Sequence, residues 1–84
     1  MNYGLTIRSE ILKAMRILEG KFGGDTFQLM AIRRQVLVQN SSLNVNSINT
    51  HIVSAMCVNA PKNHAIQYPD LFRVGRGLYK LNRS

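Results

Sequence analysis

Eighty-four residues with a 45% apolar share make one domain spanning 1–84; they exclude a second core and a disordered chain. Eleven Lys and Arg stand against four Asp and Glu, a net +7 whose field nucleic acid is the commonest polyanion to meet, although basic chains are also made for solubility alone. The single Cys57 excludes an internal disulfide, and no apolar run approaches the roughly 20 residues of a membrane span.

The first segment, Met1-Asn2-Tyr3-Gly4, lacks the basic-then-apolar layout of a signal peptide, so a cytoplasmic, nucleoid-associated protein is expected. Ile7, Ile11, Ala14, Met15 and Leu18 then form one helical stripe, which predicts a helix over about 7–19. Thr6 can cap its start and Gly20 its end. Its charges are nearly balanced, with Arg8, Lys13 and Arg16 facing Glu10 and Glu19. Lys21 to Asp25 reads as a turn around paired glycines, and Thr26-Phe27-Gln28 as a very short extended piece. The spacing of Leu29, Ile32 and Val36 predicts a second helix over about 29–39, with Arg33 and Arg34 outward.

The stretch Asn40 to Asn46 is rich in turn formers. A third helix is predicted over about 47–58, capped by Asn46 or Ser47, with Ile48, Ile52, Ala55 and Met56 buried. Asn59 ends it, Pro61 prevents its continuation, and 62–69 reads as a polar loop.

The last segment, about 71–81, alternates around Gly75-Arg76-Gly77 and predicts a β-hairpin. A two-residue loop places Phe72, Val74, Tyr79 and Leu81 on one face, with Arg73 and Lys80 on the other. A three-residue loop would set Phe72 beside Lys80 and Arg73 beside Tyr79, which spoils that segregation. The tight loop is therefore expected. Residues 61–84 carry Lys62, Arg73, Arg76, Lys80 and Arg83 against Asp70 alone, so positive charge gathers near this hairpin.

Three helices followed by a basic hairpin predict an α+β winged helix-turn-helix, a three-helix bundle with a C-terminal wing. The stretch Tyr68 to Leu81, with Ser47-Ile48, His51-Ile52 and Cys57 in the third helix, resembles small prokaryotic winged helix domains. Such domains stand alone as regulators or are fused to restriction or defence enzymes. The resemblance implies double-stranded DNA as partner, without naming a target.

The residues give that expectation its chemistry. Asn46, Ser47, Asn49, Thr50 and Ser54 lie off the apolar stripe of the third helix, and short amides and hydroxyls suit base edges in a major groove. That helix has no Lys or Arg, so phosphate contacts fall to Arg73, Arg76 and Lys80 of the wing, with Arg33 and Arg34 as further candidates. Capping and solvation are the bland roles for the same side chains.

His51, Cys57 and His64 lack metal-ligand spacing, and Glu10, Glu19, Asp25 and Asp70 are scattered. No catalytic site, metal or cofactor is expected. Phe22, Phe27, Phe72 and Tyr79 read as core, which disfavours single-stranded nucleic acid. The alternative is a winged helix that binds protein through its uncharged third helix. Nothing in the sequence points to a homodimer.

Overall fold

The computed structural model describes residues 3–59 and 68–82, with helix α1 at Tyr3–Phe22, strand β1 at Thr26–Gln28 and helix α2 at Leu29–Gln39. Helix α3, Val45–Thr50, runs on into a π-helical turn at His51–Ala55, and strands β2 (Leu71–Gly75) and β3 (Leu78–Leu81) close the chain. Positions 62–67 of the expected polar loop, with Lys62 and His64, lie outside the described residues, as does Arg83.

The apolar stripe of α1 is the floor of the core. Ile7, Ile11, Ala14 and Met15 are fully buried, Leu18 nearly so, and they meet Ile32 and Val36 of α2, Ile48 of α3 and Ile52 of the π-helical turn. Burying large aliphatic side chains contributes about 1.5–3 kcal/mol each, so these positions carry most of the stability of so small a body. The helix is longer than its stripe. It begins at Tyr3, places Thr6 inside rather than at its cap, and runs through Gly20 to Phe22, just before Gly23, whose φ of 77° is left-handed and whose N–H reaches Glu19 O at 2.9 Å. The turn expected from Lys21 therefore starts two residues later.

Helix α2 has the expected bounds, and Gln39 ties its end to α1 by donating to the carboxylate and main-chain oxygens of Glu10. Helix α3 starts earlier than its sequence suggested. Its cap is Asn44, whose side chain accepts from Ser47 N at 3.1 Å, and neither Asn46 nor Ser47 serves as cap. Met56 N then donates to His51 O at 2.8 Å, the i to i−5 bond of a π turn. Ile52 and Met56 are fully buried. Cys57 and Val58 lie beyond the helix, where Cys57 forms a parallel bridge with Leu71.

The strands form one antiparallel sheet in the order β1-β3-β2. The hairpin register corrects the sequence reading. Gly75 faces Leu78 across the turn Arg76-Gly77, with Gly77 at φ 69°, but an irregularity between Arg73 and Gly75 shifts the ladder by one residue. Phe72 therefore pairs with Lys80 and Arg73 with Tyr79, the arrangement of a three-residue loop. Leu71 and Tyr79 fill the inner face beside Phe27, while Phe72 and Val74 are exposed at 39% and 49%. Adjacent strand residues point to opposite faces, so burying Leu71 turns Phe72 outward, and a slip of one residue exchanges the two faces.

The outer edge of β2 is closed by the segment after α3. Leu71 N donates to Met56 O and Val58 N to Leu71 O, both at 2.8 Å. Two residues on, the Asn59 amide imitates a strand, accepting from Arg73 N at 2.8 Å and donating to Arg73 O at 2.9 Å.

Candidate nucleic-acid interface

Two groups of polar and basic side chains are the candidates for binding on this fold. The first is the outward side of α3. Asn46 and Thr50 are exposed one turn apart, and with Ser47 and His51 they line a shallow hollow. Part of their hydrogen-bonding capacity is already used. Thr50 Oγ1 donates to Asn46 O, and His51 Nδ1 lies 2.9 Å from Ser47 O. Asn49 is half-buried, and its Oδ1 is sealed from solvent without a hydrogen-bond partner. Ser54 is not available at all. It is 8% exposed and donates to Thr50 O, so it belongs to the inner side of the π turn.

The second group gathers where the hairpin meets α2. Gly77 O accepts from Leu29 N at 2.9 Å, so the turn itself covers the first free N–H of α2. This junction brings Arg76 of the tip and Arg33 of α2 to the same hollow, with Gln28, Met30 and Leu78. The strand pair Gln28–Leu78 reaches almost to the turn, so the wing is stubby and Arg76 is its projecting cation.

The other wing candidates part company. Arg73 and Lys80 lie on opposite faces of the hairpin, because Arg73 pairs with Tyr79 and Lys80 with Phe72. The Lys80 ammonium sits 5.9 Å from the centre of the Phe72 ring and shares a hollow with Asp25, which lowers the positive potential there. Arg73 stands close to the Tyr79 hydroxyl. Burial raises the Tyr79 pKa above its ordinary value, as does nearby Cys57, while Arg73 pulls it partly back. Arg34 lines one hollow with Lys21, Phe22 and Val38 and another with Met30 and Arg33, but not the one that holds Arg76.

The acids are largely occupied inside the domain. Asp70 takes a bidentate pair from Arg8, with Nε at 2.6 Å and the second guanidinium nitrogen at 3.0 Å, and Arg8 also lies 4.5 Å from the Tyr68 ring centre. The hydrogen bond to Asp70 raises the Arg8 pKa above its already high ordinary value. Asp25 accepts from Thr26 Oγ1, and Glu10 from Gln39. The acid within the wing segment is thus matched by α1, and the positive charge of the tip is left facing outward.

Sequence reasoning placed Arg33 and Arg76 on suitable elements but did not join them. It missed Asn44, for which the spacing to Ser47 N is a usable cap signal, and it missed Asn59, whose partner lies 14 residues away and leaves no local trace. Phe22 and Phe72 were expected in the core and are 67% and 39% exposed. Among the described residues no cluster of three His, Cys, Asp or Glu could hold a metal, and no helix is long and apolar enough to cross a membrane.

Three helices, a sheet ordered β1-β3-β2 and a hairpin beside a polar third helix define the arrangement of a winged helix. The chain belongs to the family described as "Domain of unknown function (DUF7669)", which it matches over residues 6–81. Comparison with curated proteins and with solved structures gives no match.

Proposed function

We infer that this domain is a double-stranded DNA-binding module rather than an enzyme, working in the cytoplasm as a transcriptional regulator or as a targeting module. The observation that carries the reading is the convergence of Arg33 and Arg76 on one hollow that no described carboxylate lines. Two guanidinium groups at one place suit the phosphates of a duplex, which supply most of the affinity. Asn46 and Thr50 are the exposed α3 groups that reach base edges, with Asn49 behind them and Ser54 excluded by burial. Arg73 adds a cation on the inner-face side of the hairpin, and Lys80 contributes less because Asp25 is near. With no charge on α3, discrimination among sequences is modest and attachment is mainly electrostatic.

The test is fluorescence anisotropy with a random duplex and with one strand of it, over a range of salt. Tighter binding to the duplex, falling linearly in log affinity against log salt, is the expected result. Equal affinity for the single strand, or no dependence on salt, overturns the reading.

A further inference from the structure

A second surface, adjoining the Arg33–Arg76 hollow, lies on the outer side of α1 and α2. Phe22, Met30 and Val38 are 67%, 54% and 75% exposed there, a density of large apolar side chains that isolated surface positions do not explain. Two hollows open between them, and Arg34 with Val38 lines both, so they form one groove. The rim is basic. Lys21, Arg33 and Arg34 line it, and no described carboxylate does. None of these apolar groups belongs to α3 or to the hairpin; of the three, Met30 alone also lines the hollow that holds Arg33 and Arg76.

The chemistry of the groove selects among occupants. Duplex DNA offers phosphates to the rim but nothing apolar to Phe22 and Val38. A second copy laid on the same face would bring Lys21, Arg33 and Arg34 against their own like, which costs rather than stabilises. A flat bilayer can meet the cations but does not fill concave hollows. A helix with an apolar ridge flanked by carboxylates satisfies both the floor and the rim. We propose that the α1/α2 groove is a docking site for an acidic amphipathic helix of a partner protein.

The probe is a labelled peptide of about 18 residues, five helical turns, with Leu along one stripe and Glu beside it. It is titrated into the whole chain, together with a scrambled peptide of the same composition and a version with Gln for Glu. The designed peptide should bind at least about tenfold more tightly than either control. Phe22→Ser with Val38→Ser should lose at least about tenfold, the loss expected on truncating two anchor side chains, whereas Arg73→Gln should leave binding unchanged. Both substituted residues are largely exposed, so circular dichroism should show an intact fold. Equal binding of the scrambled peptide, or no loss in the folded double variant, overturns the proposal. So does a dimer in sedimentation, phosphatidylserine vesicle binding or tenfold of the duplex affinity, if the double variant abolishes it, because the groove then has a different occupant.

Discussion

Replacing Arg33 and Arg76 together by Gln removes the two cations that share the hollow at the α2–hairpin junction. Each lost phosphate contact lowers the slope of log affinity against log salt by about 0.9, so the pair accounts for up to about 1.8. Over a fourfold change in salt this corresponds to about a tenfold difference in how far affinity falls. The double variant should therefore bind duplex DNA more weakly at low salt, approach the wild-type affinity at high salt, and do so for every sequence alike. Arg76 is exposed and Arg33 only half-buried, and Gly77 and the aliphatic packing are untouched. Thermal stability should stay within about 0.5 kcal/mol, as for ordinary surface changes. Anisotropy titrations at four or more salt concentrations give the slope directly. A folded double variant whose slope equals that of the wild type would remove this junction from the interface, and with it the main support for duplex binding.

Ile52 is fully buried within the π turn, so Ile52→Ala should cost about 2–5 kcal/mol and lower the urea midpoint accordingly; an unchanged midpoint would contradict its place in the core. Asn59→Ala breaks both bonds to the Arg73 main chain and should cost about 1–3 kcal/mol, with faster amide exchange at Arg73 as its local signature. Tyr79 keeps its proton to a higher pH than an unfolded tyrosine, which titrates near about 10. Its contribution to stability is complete below that pH and is lost as pH rises through the raised value, since the folded state then holds more protons than the unfolded. Tyr79→Phe should flatten this alkaline decline in urea titrations; an identical slope in both proteins would refute it.

The helices were legible because a helical stripe repeats. Ile7 to Leu18 and Ile32 with Val36 lie in the core as their spacing requires, and α2 begins and ends where its pattern does. What escaped were features set by a single residue or by distant partners. Four asparagines between positions 40 and 49 make equal cap candidates by type, and only the bond to Ser47 selects Asn44. In the hairpin, Leu71 and Phe72 are adjacent and both apolar, so alternation alone supports either face. The irregularity before Gly75 decides for Leu71. The π turn had a similar effect on the candidate site, since it carries Ser54 inward from a position that an uninterrupted helix would leave polar and exposed. The pairing of Arg8 with Asp70 spans 62 residues and has no local sequence signature.

The stitching of β2 to the segment after α3 has a mechanical consequence. Met56, Val58 and Asn59 grip Leu71 and Arg73 at both main-chain positions, so the end of the third helix and the base of the hairpin move as a unit. On the other side, Gly77 is held to the first residue of α2. The separation between the end of α3 and the main chain of the hairpin turn is thus a gauge set by these bonds. On the proposed reading, a duplex whose groove width matches that gauge would be bound without distortion, and one that does not would have to bend or be compressed to fit. Preference among DNA sequences can then arise from their stiffness, at base pairs that no side chain touches.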